Sequence, residues 1–381
     1  MKKIIVINPR GIKGDEEYTH GTCQALGTIK WCNVILVSNY YYPFSNQTSY
    51  RIIKLFFHIS EKMKMTGVRK IVRFFEYICN LYSTMRVIKK EQPDVVHIMW
   101  PIVYRIDLYF IKHIKNNGYR IVYTAHNVLP HSFFEKYRNI FKQIYRLVDL
   151  IIVNGKAVKA EFMNYFPNEI NKVIVSRHGC KSAPLSIVTN NLQFDYLLIR
   201  YNKVLLVFGM LYYEKGIDRV VKAWLSEKHH NSTILIIAGK VRGQYKELDA
   251  LRNSMTIDND ILFYNNYVED NLLNYFINKS NVILIPYRHA SMSGVLLSAA
   301  SFCKTVLATD TGSISEYITD GVDGILIENT DNAVNNGLKL LINEYSNEKL
   351  SEMGYQLNIN ITNTCNWDNI VSEYIDRYFK E

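Results

Sequence analysis

No segment of this 381-residue sequence approaches 18 uninterrupted apolar residues, the minimum for a helix that crosses a membrane. The opening run Met1–Asn8 (MKKIIVIN) has too few apolar residues for a signal peptide, and no small-residue cleavage site follows it. It reads instead as a buried strand. Cys23, Cys32, Cys79, Cys180, Cys303 and Cys365 form no C-x-x-C pair and lack histidines at metal-ligand spacing. A reduced, cytoplasmic protein without structural zinc is therefore expected. There is no G-x-G-x-x-G dinucleotide fingerprint.

Acidic residues are scarce in the first half. Residues 1–185 hold 28 Lys and Arg against 12 Asp and Glu, a net of +16, whereas the remainder nets −6. The densest part, Arg51 to Lys90, has ten basic residues against Glu61 and Glu76. Such a surface attracts lipid headgroups, a pyrophosphate-linked acceptor or nucleic acid. No nucleic-acid module accompanies the charge, so nucleic acid is not expected as a partner. Apolar positions in the same stretch recur at helical spacing: Ile52, Leu55, Phe56, Ile59 and Met63, then Val68, Ile71, Val72, Phe75, Ile78, Cys79 and Tyr82. Packing of this stripe against a sheet is expected, with docking on an anionic membrane surface as the alternative.

What is present is an α/β chain, 48% apolar and long enough for two domains. Strand-like runs alternate with helical patterns from Lys2–Asn8 to Lys172–Ser176, and again from Lys203–Phe208 to Ile325–Ile327. The polar stretch Lys181 to Tyr201 separates the two series. The expected organisation is a domain over 1–182, a linker over 183–202, a second domain over 203–362 and a final helix over 363–381. That helix has an apolar stripe at Ile370, Tyr374, Ile375 and Tyr378.

Chemistry concentrates in Ile283 to Ile327. A buried strand turns through Pro286 and small polar residues into a helix over Ser293–Cys303. Free N–H groups at its start suit a phosphate, and Ser291, Ser293 and Gly294 permit close approach. A second small-residue turn, Thr311-Gly312-Ser313, opens another helix at Ile314. Two such turns suggest an anion-binding crevice at the carboxyl edge of a parallel sheet. In the first half, His126 follows the carboxyl end of a strand within AHNVLPHS (residues 125–132), a position that reaches such a crevice; His131 follows it. Gly11 and Gly14 punctuate the loop after the first strand.

The frame of Pro286, Val306, Ala308, Thr309, Gly312 and Glu316, with His126-Asn127 and Lys215-Gly216, resembles the retaining glycosyltransferases of family 4. The resemblance implies two Rossmann-like domains in GT-B architecture with a cleft between them, and a last helix crossing back to the first. It implies transfer of a hexosyl group from a nucleotide-sugar donor with retention of configuration and no metal or other cofactor. His126 would lie beside the transferred sugar and Lys215 at the departing diphosphate. Gly11, Gly209, Ser291, Met292, Ser293, Gly294, Val295, Ser298 and Glu316 would serve the donor, and the loop Asn265–Val268 would hold the base.

Three positions depart from the family. Its two glutamates fall on Ala290 and Ser298, and its diphosphate arginine on Met210. SMSGVLLSA resembles a subset with S-x-S-G-V-L, and Lys240, Arg242 and Arg288 are the candidate replacement cations. Charge and family habit suggest a polyprenyl-pyrophosphate-linked glycan acceptor in surface polysaccharide assembly, at the inner face of the cell membrane. The departures motivate a second reading, a non-catalytic GT-B subunit that binds a sugar nucleotide or a partner transferase.

Overall fold

A computed structural model describes residues 1–12, 16–44, 48–64, 66–130, 134–180 and 191–380. Gly14, His131 and residues 183–190 of the expected linker lie outside them. The chain forms two compact units, Met1–Gly179 with Cys365–Glu381, and Cys180–Thr364.

In the first unit the order is β1 (Lys2–Asn8), α1 (Glu16–Thr28), β2 (Cys32–Asn39), β3 (Arg51–Phe56), α2 (Gly67–Glu91), β4 (Val95–Ile98), α3 (Tyr104–Asn116), β5 (Arg120–Ala125), α4 (Phe134–Leu147), β6 (Leu150–Asn154), α5 (Lys156–Tyr165) and β7 (Val173–Ser176). The strands form one parallel sheet ordered β3-β2-β1-β4-β5-β6-β7. Runs such as IIVI in β1 are apolar at every position because helices cover both faces. One face packs on Tyr77, Leu81 and Ile88 of α2 with Ile111 and Ile144; the other packs on Tyr18 and Leu26 of α1. Strand order reverses between β1 and β4, which opens a crevice at their carboxyl ends.

The second unit runs α6 (Leu192–Leu198), β8 (Lys203–Phe208), α7 (Ile217–Ser226), β9 (Thr233–Ala238), α8 (Lys246–Leu251), β10 (Ile261–Tyr264), α9 (Asp270–Lys279), β11 (Val282–Ile285), α10 (Gly294–Ser301), β12 (Thr305–Thr309), β13 (Ile325–Ile327), α11 (Asp331–Asn343) and α12 (Asn347–Thr364). Its parallel sheet is ordered β10-β9-β8-β11-β12-β13, with the reversal between β8 and β11. Trp224, Tyr245 and Leu338 lie in its core. The chain then returns to the first unit as α13 (Trp367–Tyr374). Trp367 fills the space beside Gly21 and Gly179, where an added Cβ would lie 2.1 Å from the indole in each case. Tyr378 closes the contact, its hydroxyl 3.0 Å from His97 Nδ1.

Both doubly wound sheets and the returning helix agree with the expected architecture. Several local expectations are corrected. Arg51–Phe56 is an edge strand, paired Leu36 to Ile52 and Val37 to Ile53, not the start of a helix. Its faces are only partly covered, so no clean two-residue alternation marked it. In α2 the buried face is Tyr77, Leu81, Thr84, Met85 and Ile88, while Val68, Ile71, Phe75, Ile78 and Tyr82 face solvent. The stretch read as linker contains α6, capped by the Asn191 side chain. At Ile314 there is only a four-residue 3-10 turn, Ile314–Tyr317. Among the described residues no helix is long and apolar enough to cross a membrane.

Candidate active site

Each unit gathers polar groups at the carboxyl edge of its sheet. In the first unit, Asn8 ends β1 and its buried side-chain oxygen accepts the N–H groups of Arg10 and Gly11 at 3.0 and 3.2 Å. That turn holds the Arg10 guanidinium 5.2 Å from the Trp100 ring centroid. Trp100 follows β4 and stacks on His126, which follows β5, with centroids 3.8 Å apart and planes within 1°. Arg10, Trp100, Tyr104, His126, Asn127 and Tyr137 are among the residues lining a cavity of about 490 Å³.

A hydrogen-bond chain assigns the His126 proton. The Tyr18 hydroxyl donates to Asn154 Oδ1 at 3.2 Å, which turns the Asn154 amide nitrogen toward His126 Nδ1 at 3.3 Å. An amide N–H can only donate, so Nδ1 accepts and the ring hydrogen resides on Nε2. Nε2 and the indole nitrogen of Trp100 are both buried without a hydrogen-bond partner among the described residues. Burial, followed by the neighbouring His178, His97 and Arg10, holds His126 well below the ordinary histidine pKa. The ring is therefore neutral at pH 7 and offers a donor toward a substrate oxygen. His178, at the turn after β7, packs on Tyr18 with centroids 4.8 Å apart.

In the second unit, the loop after β8 carries Gly209, Met210 and Lys215, and the loop after β11 carries Pro286 to Ser293. Gly216 joins them. It has φ +64°, and a Cβ there would stand 2.1 Å from the Pro286 carbonyl oxygen. The close approach sets Lys215 Nζ 3.6 Å from the centroid of Tyr287. The Tyr287 hydroxyl lies 3.5 Å from Ser293 Oγ, and the Tyr287 carbonyl accepts from Thr309 Oγ1 at 2.6 Å. Ser293 caps α10 by accepting from Leu296 N–H, leaving the amides of Gly294 and Val295 at the helix start. Gly294 faces open space, and Gly209 lies beside Val295. Gly312 has φ +57° and passes so close to Ala290 that any Cβ would collide with its carbonyl, while Ser313 N–H donates to the Ser291 carbonyl at 3.1 Å.

The fold thus brings Gly209, Lys215 and Ser291 to Val295 together. Met292 lies within the same turn. Ser298 sits one helical turn on and donates to the Gly294 carbonyl at 2.9 Å, and Glu316 lies in the 3-10 turn after Gly312. Lys240 follows β9, and its carbonyl accepts from Leu211 N–H at 3.1 Å, which sets it next to Met210. Arg288 is engaged elsewhere. Its two η nitrogens donate to the buried Asp218 carboxylate at 2.7 and 2.8 Å. Burial pushes that carboxyl up, but hydrogen bonds from Arg288 and Tyr245 outweigh it and leave its pKa below the ordinary value. In the base-loop stretch, Asn265 Oδ1 accepts from Val241 N–H at 3.0 Å.

Sequence reasoning did not single out Arg10, Trp100, Asn154, Tyr287 or Asp218. Trp100 and Asn154 stand at strand carboxyl ends, the same signal that selected His126. Asp258-Asn259-Asp260 has the spacing of a D-x-D metal element but precedes β10, at the amino edge of the sheet. There Asp260 accepts from the Tyr201 hydroxyl and pairs with His230. Among the described residues, no group of three or more His, Cys, Asp or Glu is placed to hold a metal.

Comparison with known proteins adds to this geometry. The profile of Glycosyltransferase Family 4 matches residues 60–180, and that of Glycosyl transferases group 1 matches residues 190–357. An uncharacterized glycosyltransferase of Methanocaldococcus jannaschii is 25% identical over 247 residues, 64% of this chain and 60% of that protein. The chain thus spans about 60% of the length of the curated relatives it matches. Among solved structures, sucrose-phosphate synthase from Thermosynechococcus elongatus superposes with a TM-score of 0.74 at 14% identity, covering 99% of this chain and 98% of that one. HepE of Anabaena, in complex with UDP-glucose, gives 0.72 at 14% identity and 99% of both chains. With this fold and matches to the two profiles over residues 60–180 and 190–357, the chain has GT-B architecture and is family 4-like.

Proposed function

We propose that this protein is a retaining hexosyltransferase that uses a nucleoside-diphosphate sugar. Its acceptor in this reading is a glycan on a polyprenyl pyrophosphate, in surface polysaccharide assembly at the inner face of the cell membrane. The observation that carries the reading is the cluster of Lys215, Tyr287 and Ser293. It holds a cation, without a carboxylate partner among the described residues, beside a helix start that faces open space.

As the bond between the sugar and the diphosphate breaks, negative charge gathers on the leaving oxygen. The ammonium of Lys215 and the amides of Gly294 and Val295 stabilise it. Arg288 forms a neutral pair with Asp218, so the second cation in this reading is Lys240, beside Met210. No metal enters the scheme. The acceptor oxygen bonds to the anomeric carbon on the face the phosphate leaves, and its proton passes to the departing phosphate. His126 donates through Nε2 to a sugar hydroxyl and stays neutral throughout.

Thermal unfolding with UDP, GDP, dTDP, CMP and ADP tests the reading. The UDP-glucose complex of the Anabaena neighbour puts UDP first. A nucleotide at a hundred times its Kd stabilises by about 2.7 kcal/mol, which raises Tm by roughly 5 to 10 °C. One nucleoside diphosphate is expected to give such a shift, and hydrolysis or transfer of the matching sugar donor should follow. No shift with any of them would favour the non-catalytic subunit instead.

A further inference from the structure

The helical stripe in α2 faces the opposite way from a core stripe. Val68, Ile71, Phe75, Ile78 and Tyr82 are 61, 60, 61, 39 and 63% exposed, and Ile59 before the helix is 61% exposed. Spaced i, i+3, i+7, i+10 and i+14, they make one apolar ridge about 20 Å long on a helix whose other side is packed into the unit. A continuous exposed ridge of this size marks an interaction surface. The ridge continues in line into Arg86 and Lys89, with Lys90 beside them, all exposed.

The surroundings of the ridge are cationic, and the two acids nearby are occupied. Glu61 pairs with Arg69 at 2.8 Å and with Arg73. The Glu76 carboxylate accepts the N–H groups of Ile59 and Ser60 at 2.8 and 3.0 Å. Arg73 also lies 3.6 Å from the Phe57 ring centroid, and Thr66 caps the helix. These contacts fix the start of α2 to the unit, so the ridge is presented on a rigid support. Lys62, Lys64 and Lys70 are exposed near that end.

We propose that this face of α2 docks on an anionic lipid bilayer, with the helix in the membrane plane, the ridge among the acyl chains and the lysines and arginines at the headgroups. Charge complementarity selects this occupant. A second copy packed face to face would oppose the same cations. A nucleic acid would bring phosphates against five large apolar side chains. The inference deepens the membrane location in the proposed function by naming the surface that would dock; it is argued from surface geometry, so the transferase activity could fail without affecting it.

The test is co-sedimentation of the full chain with vesicles of phosphatidylcholine alone and of phosphatidylcholine with phosphatidylglycerol, at low and high salt. Binding is expected on the anionic vesicles and should weaken as salt screens the charges. Phe75→Ser with Ile71→Ser should lower partitioning by about tenfold or more without changing Tm, because both side chains are exposed. Lys89→Glu with Lys90→Glu should remove most of the salt-sensitive part. Equal, negligible binding to both vesicle types would overturn the proposal, as would anionic binding that Phe75→Ser with Ile71→Ser leaves intact. A lipid-free dimer abolished by the same pair would assign the face to a second copy and also overturn it.

Discussion

Trp100 and His126 lie ring on ring, 3.8 Å apart and parallel, and each carries one buried nitrogen with no hydrogen-bond partner among the described residues. Two unmet N–H groups cost free energy unless a ligand uses them. They mark the point of the first unit where a polar substrate group gains most.

Asn154 holds the His126 tautomer and is a positioning residue. Asn154→Asp replaces its N–H donor with a carboxylate, which draws the ring hydrogen to Nδ1 and stabilises the imidazolium. Turnover is expected to fall about 10- to 100-fold, the worth of one charged or strained hydrogen bond in a buried site. The rate should also gain a pH dependence near neutrality, while the nucleotide-induced rise in Tm stays as in wild type. A flat pH profile with unchanged turnover would remove Asn154 from this role.

Lys215 and Arg288 separate by what each substitution breaks. Lys215→Ala leaves no buried charge behind and should preserve Tm while shrinking the nucleoside diphosphate shift. Arg288→Ala removes the two-pronged partner of the fully buried Asp218 carboxylate, leaving it the Tyr245 hydroxyl and the Lys222 ammonium at 3.5 Å, and should cost about 1.5 to 3 kcal/mol of stability. Lys240→Ala should behave as Lys215→Ala does. Calorimetry of the three variants with and without nucleotide distinguishes the roles, and an unchanged shift in both lysine variants would exclude them from the donor site.

His97 makes the first unit sensitive to acid. It is buried against Thr124 and Tyr378, and burial lowers its pKa to about 3. The folded value lies below the unfolded one near 6.5, so the native state binds fewer protons. Its contribution is complete above pH 6.5 and is lost as pH falls toward 3, by roughly 3 kcal/mol between pH 7 and 4. His97→Gln keeps hydrogen-bonding capacity but cannot charge. Urea midpoints should place the variant below wild type at pH 7.5, with the gap closing by pH 4.5; a constant gap would contradict the assignment.

Much of the fold was legible because parallel strands buried on both faces leave continuous apolar runs. The bounds of Lys2–Asn8 and Lys203–Phe208 follow from that signal alone. Those of Arg51–Phe56 do not, since an edge strand with partly covered faces has no period of its own. His126, Lys215 and the Ser291–Val295 turn were legible as residues just past strand ends. Arg10 and Tyr287 were not, because their place depends on which strands and loops become neighbours.

The sequence by itself determined the two alternating α/β series, the basic first half and the small-residue turns, since periodicity, charge and backbone freedom are properties of local sequence. Tertiary structure alone decided the partners. It placed Arg288 on Asp218, set Lys215 on Tyr287 and stacked Trp100 on His126. It also decided which stripe of α2 turned inward. A helix offers any face to a sheet, and the choice falls to the one whose side chains fill the space the strands leave, so Tyr77, Leu81 and Ile88 are buried and Ile71 and Phe75 are left outside.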